Sequence, residues 1–177
     1  QNYGIELTVE KFFSKHYFFL WSTSLFDSKY KASNGKTYNT DFNGNYVTNL
    51  LAGLEYGLGK SKKNTISFGT KLTYAGGRRY SPADVVASSK IYELVPQENA
   101  INSLQFPNYF RFDLRIAYKV NNKKVTHEIA LDLVNVLNVK NILALSYSPD
   151  PKDPTADPLR KNYQLGRLPL FYYKLDF

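Results

Sequence analysis

Arg78 and Arg79 stand side by side and lead into Tyr80, in the stretch "AGGRRYSPAD". Two guanidiniums beside a phenol suit an anionic ligand, because a guanidinium offers paired N–H donors that match a carboxylate. The blander reading is an ordinary polar loop base. Arg111, Asp113 and Arg115 recur at every second position, and Glu55 and Lys71 carry charge in two earlier runs. That spacing puts charges on one face of a strand, as an ion-pair ladder rather than an acid–base couple. Asp150, Asp153 and Asp157 in "SPDPKDPTADP" raise calcium, but their spacing does not match an EF-hand loop. The interleaved prolines favour a stiff exposed loop. With no Cys and only His16 and His127, no thiolate site and no histidine cluster is expected. There is no G-x-S-x-G elbow and no P-loop, and the "GLG" at Gly57 to Gly59 lacks its third glycine. The chain is therefore not read as an enzyme, and no cofactor or metal is expected.

These residues sit in runs of strict alternation. "PLFYYKLDF" closes the chain with Phe171, Tyr173, Leu175 and Phe177 on one parity and Leu170, Tyr172, Lys174 and Asp176 on the other. Period two is the mark of a strand with two different faces. The same pattern holds around Ile5 to Val9, Phe19 to Leu25, Leu50 to Leu58, Ile66 to Tyr74, Phe110 to Val120 and Val125 to Val136. One parity carries Phe, Leu, Ile, Tyr and Trp; the other carries Arg, Asp, Glu, Lys, Ser and Gly. That makes about seven strands, and no amphipathic helix long enough to compete.

Strand length and loop order separate a membrane wall from a soluble sheet. The runs reach about ten residues, and about 9–11 tilted residues cross a bilayer. The connections alternate: "FFSKH", "GKSKKN" and "NNKK" are short, while Lys29 to Asn45, Ala75 to Asn108 and Leu137 to Asn162 are long. Membrane β-barrels sort their connections in this way, with periplasmic turns at one rim and extracellular loops at the other. The fold expected is all-β, a transmembrane antiparallel barrel segment. Seven strands do not close a bacterial barrel, so residues 1–177 are expected to form an open wall with both edges unpaired. The net charge of +8 raises nucleic-acid binding. The lysines, though, gather in the short turns, where solvation is the simpler reading, and no recognition helix or aromatic-basic RNA motif is visible. No nucleic acid is expected.

The stretch "GIELTVEKFFSKHYFFLWSTSLFDSKYK" resembles the late barrel strands of TonB-dependent outer-membrane receptors. "ISFGTKLTYAGGRRYSPAD", "EIALDLVNVLN" and "YQLGRLPLFYYKLDF" follow in the order that family shows. The resemblance implies a 22-stranded barrel in the bacterial cell outer membrane, filled by a plug domain and importing a scarce ligand of siderophore, cofactor or peptide type. These strands would be its last seven, the C-terminal part of the barrel. The plug, and the segment that meets the TonB energy-coupling complex, have no match here. The resemblance further implies contact with outer-membrane lipid and lipopolysaccharide. It also implies a C-terminal signal, Phe171, Tyr173, Leu175 and Phe177, read by the barrel assembly machinery. Arg78, Arg79 and Tyr80 become candidates for small-molecule or peptide ligand contact, with lipopolysaccharide phosphate as the alternative. A structural or adhesive outer-membrane barrel and a soluble β-sandwich carbohydrate-binding module are the rival readings.

Overall fold

A computed structural model describes residues 1–59, 62–153 and 155–177. In chain order the elements are β1 (Asn2–Ser14), β2 (Tyr17–Lys31), β3 (Thr37–Asn39), β4 (Tyr46–Leu58), β5 (Asn64–Ala75), β6 (Arg79–Tyr80) and α1 (Val85–Ile91). They continue through β7 (Leu104–Gln105), β8 (Tyr109–Asn121), β9 (Thr126–Val134), β10 (Ile142–Tyr147), β11 (Leu159–Tyr163) and β12 (Leu168–Asp176). Every alternating run of the sequence falls on a strand, although β9 covers only Thr126–Val134 of the Val125 to Val136 run and β12 ends at Asp176. The seven long strands form one antiparallel sheet in the order β1-β2-β4-β5-β8-β9-β12. Among the described residues β1 and β12 do not pair with each other, so the sheet is open, as expected.

The register fixes the two faces. Thr73 faces Arg111, Lys71 faces Asp113, Arg115 faces Asp132 and Lys119 faces Glu128, which collects the charges on one side. On the other side Phe68 faces Ile116, Leu72 faces Phe112, Leu114 faces Leu133 and Ile129 faces Tyr173. This apolar side has nothing packed on it: Ile5 is 77% exposed and Ile129 59%. Among the described residues the buried apolar side chains are Tyr38, Ala117 and Ala130. A β-sandwich would bury the aromatics between two sheets; here they line an uncovered face.

Aromatics bound that face at both ends. Tyr46, Tyr74 and Phe110 form a row of ring contacts near the long loops, with centroids 5.5 and 6.2 Å apart. Tyr56, Tyr118 and Tyr173 mark the far end, where Tyr173 hydroxyl and His127 Nδ1 lie 2.8 Å apart. From Phe110 to Tyr118 the chain rises eight residues, about 26 Å at about 3.3 Å each. A barrel's apolar band between aromatic girdles is about 25 Å tall. Tilted by about 40°, the segment covers about 20 Å of that height.

The charged face is organised by small residues. Ala117 and Ala130 pair directly, one rung between the Arg115–Asp132 and Lys119–Glu128 rungs. Their lack of bulk lets Arg115 reach both Asp132 (2.9 Å) and Glu128 (2.9 Å) and lay its guanidinium 5.3 Å from the Tyr172 ring centre. Arg111 holds Asp113 at 2.7 Å. Gly53 plays a similar part in β4: any side chain there would strike the Phe18 ring that lies across it.

The turns follow the expected order. Lys15 and His16 join β1 to β2 with φ of 50° and 73°, the left-handed pair that suits a two-residue hairpin. The "GKSKKN" turn contains Lys60 and Ser61, which lie outside the described residues. The long connections hold more structure than the sequence suggested, including α1 and a separate β10–β11 hairpin. The helix is short and capped by Asp84, whose carboxylate accepts from the Ala87 amide. Local capping and Ser88 account for it, since Ser88 Oγ donates to Asp84 O and accepts from Val95 N. None of this has a periodic signature.

Candidate functional site

Where the long loops leave the sheet, asparagines take over from the strand ladder. Asn43 is fully buried; its amide donates to Asp27 (2.7 Å) and Asn39 (2.8 Å), and its carbonyl accepts from the Ser28 backbone (3.0 Å). Asn102 bridges from the second long loop to the first, donating to Asn39 O and Asp41 Oδ1, each at 2.8 Å. Asn141 clamps the backbone of Phe110 from both sides, at 3.0 and 2.8 Å. Asn135 accepts from Val139 N and donates to Val139 O and Leu165 O, closing the turn after β9. An asparagine side chain carries both a donor and an acceptor, so it can replace a missing peptide partner in irregular backbone.

This scaffold places the candidate triplet. Arg79 is consumed by it: Nε donates to Asn43 O (3.0 Å) and a terminal nitrogen donates to Asn45 Oδ1 (2.9 Å). Tyr80 stacks on Phe106, centroids 4.1 Å apart and planes 11° apart. Arg78 differs. Its guanidinium lies 4.8 Å from the Phe42 ring centre, and Nε is buried without a hydrogen-bond partner among the described residues. The three residues are neighbours in sequence with three different surroundings.

Arg78 borders two cavities. The larger, about 350 Å³, is lined by Phe26, Phe42, Phe106, Pro107 and Tyr109, among others. Phe26, Val47, Ala75 and Tyr109 belong to the charged-face parity, because Val47 pairs with Ala75 and Ala75 with Tyr109. The cavity therefore opens on the charged side of the sheet, at the loop rim. Its floor needs Gly44 and Gly76, whose backbones approach too closely for a Cβ between them. The smaller cavity, about 230 Å³, lies between Asp41, Tyr80 and Asn102 on one side and Leu143 to Leu145 of β10 on the other. All three long connections thus meet around Arg78. An aromatic cup with one underused guanidinium can hold a planar or apolar group that carries an anionic or carbonyl oxygen.

A family model described as TonB dependent receptor-like, beta-barrel, matches residues 1–142. The chain belongs to that family. Its members are bacterial outer-membrane receptors and transporters rather than enzymes. Neither the curated proteins nor the solved structures yield a match. The matched stretch ends at the start of β10, yet the sheet of this TonB-dependent receptor-like barrel continues through β12, which pairs with β9 from Leu168–Val134 to Asp176–Thr126.

Phe171, Tyr173, Leu175 and Phe177 lie at the outer edge of the sheet, on the apolar parity, far from the Arg78 cavities. Asp150, Asp153 and Asp157 each accept from a backbone amide two residues on, so they build turns. Thr155, through its hydroxyl at 2.6 Å and its amide, holds the Asp153 carboxyl below its ordinary value. Pro154 lies outside the described residues.

The sequence reading missed the aromatic cup and the asparagine scaffold. "YNTDFNGN", Tyr38 to Asn45, was the available signal: three asparagines with two aromatics in eight residues suit a polar-tethered loop more than a solvated one.

Proposed function

We propose that this chain forms the last seven strands of a 22-stranded TonB-dependent receptor that imports a scarce siderophore, cofactor or peptide. The charged face lines the lumen and the apolar face meets lipid. The observation that carries the reading is the Arg78 cavity, open to the lumen side beneath three converging loops. Arg78 is the ligand contact of the triplet, while Arg79 and Tyr80 position it through the Asn43 backbone and Phe106. Coupling to TonB belongs to the plug region, outside this chain.

The final strand carries a second role in this reading. Phe171, Tyr173, Leu175 and Phe177 form the signal for the barrel assembly machinery. An unpaired strand edge suits capture by strand addition, and among the described residues the outer edge of β12 is unpaired. The lipid-facing aromatics match the rest of the apolar wall.

Arg78→Met in the full-length receptor tests the ligand role. Methionine keeps most of the bulk over Phe42 and removes the buried donor. Whole-cell uptake from a panel of labelled ferric siderophores, cobalamin and oligopeptides should fall at least tenfold for whichever member the wild type takes up. Surface abundance should stay unchanged. Unaltered uptake in the variant contradicts the assignment.

A further inference from the structure

Away from the loops the sheet ends in three turns whose sequences, "FFSKH", "GKSKKN" and "NNKK", contain lysine and no acid. Lys15, Lys62, Lys63, Lys123 and Lys124 are all exposed, and among the described residues none forms an ion pair. Of the carboxylates near this rim, Glu128 is engaged by Arg115 and Lys119 and Asp176 by Lys174, while Glu55, whose backbone bonds His16, lies on the charged parity, away from the tyrosine row. The second and third turns are tied side by side, Asn121 donating from its side chain to Lys63 O (2.6 Å) and from its backbone to Asn64 Oδ1 (3.2 Å). Their lysines therefore form one patch rather than scattered charges.

The first turn leans toward the apolar side. The His16 ring stacks on Tyr56, centroids 5.2 Å apart, and Tyr56 pairs with Ile66 on the apolar parity. Lys11, on that parity too, sets its amine 3.6 Å from the Tyr17 ring centre and donates to Ser14 O and Tyr17 O. Phe12 is 77% exposed and Phe13 54%. Uncompensated amines thus stand just outside the row of Tyr56, Tyr118 and Tyr173 that ends the apolar band.

We propose that this rim is a docking surface for anionic phospholipid headgroups of the leaflet it meets. Interfacial tyrosines fix the depth at which headgroup phosphates stand, and clustered lysines beside such a plane attract anionic lipid over about a screening length. A soluble acidic partner would leave the aromatic row and the exposed Phe12 and Phe13 without a role. The inference rests on the reading of the sheet as a barrel wall.

The test places the full-length protein in phosphatidylcholine vesicles carrying a trace of spin-labelled phosphatidylglycerol or spin-labelled phosphatidylcholine. The fraction of each label immobilised at the protein surface is then read. Wild type should enrich phosphatidylglycerol several-fold at low salt, and high salt should abolish the preference. Replacing Lys15, Lys62, Lys63, Lys123 and Lys124 by Gln should bring the ratio to unity with the folded fraction unchanged. Equal immobilisation of both lipids by wild type overturns the proposal. So does a preference that survives the five substitutions, which would assign it to another surface. Binding of an acidic polypeptide without lipid selectivity also overturns it, in favour of a protein partner. Immobilisation of neither lipid would sink the barrel-wall reading itself, and the proposal with it.

Discussion

At one rim the chain reverses between β1 and β2 on two residues, Lys15 and His16; at the other it runs from the end of β9 at Val134 to the start of β12 at Leu168. The short-turn rim is held mainly by the strand ladder, with a left-handed residue pair, a lysine folded back on its own turn and one asparagine, Asn121, tying two turns together. The loop rim extends past the ladder, and side chains there replace peptide partners: Asn43, Asn102, Asn135 and Asn141 each bond backbone from a distant segment. The two cavities beside Arg78 form where such substitution is needed, because irregular backbone does not close on itself like paired strands. In the proposed function, ligand recognition belongs to the loop rim and lipid docking to the turn rim. The apolar band between them keeps the two apart.

Breaking that band should have the largest effect. Leu114 lies midway between Phe110 and Tyr118 on the apolar face. Leu114→Arg should destabilise the protein in vesicles by about 2–4 kcal/mol, the penalty for arginine near the bilayer midplane of a barrel. Denaturant titration in lipid reads it, and an unchanged midpoint would contradict the assignment of faces. The loop rim should respond next. Asn43→Ala leaves the Ser28 amide and the Asp27 and Asn39 oxygens short of a partner, costing about 1–3 kcal/mol. Hydrogen exchange should show the loss confined to residues 39–45 and 78–106, with the β8–β9 ladder still protected. Global loss of protection would mean the rims are not independent.

The turn rim and the wall were legible in sequence, and the reason is physical. A strand with one face on lipid and one on a polar lumen must alternate, so Phe110 to Val120 displayed both faces before any coordinates. Two-residue and lysine-rich turns likewise carry local signals. The loop rim gave none of that. α1 depends on one capping aspartate, the β10–β11 hairpin on proline-rich turns, and the cavity on residues brought together from Phe26, Phe42, Phe106 and Tyr109. Arg78 was singled out by type, but its distinction from Arg79 arises from tertiary contacts alone. The lysines of the turns are exposed, as solvated turns require; that they stand beside the tyrosine row follows from the strand register, which their local sequence does not encode.

The smallest effect on folding stability should come from removing Phe177. The residue stands past the end of β12, at the rim away from the Arg78 cavities. Its deletion should lower the amount of receptor assembled in the outer membrane several-fold while leaving ligand affinity of the assembled molecules unchanged. Quantitative surface labelling alongside binding checks both halves. Normal abundance would remove the signal role, and altered affinity would couple the rims that the structure keeps separate.

The central claim is that the apolar parity faces lipid and the charged parity faces the lumen. This chain contains no cysteine, so single cysteines introduced along β8, from Phe110 to Val120, can each carry a fluorescent label. In vesicles of brominated phospholipid, labels at positions 110, 112, 114, 116 and 118 should be strongly quenched, with little quenching at 111, 113, 115, 117 and 119. Quenching without that two-residue alternation, or with the parities exchanged, would contradict the account.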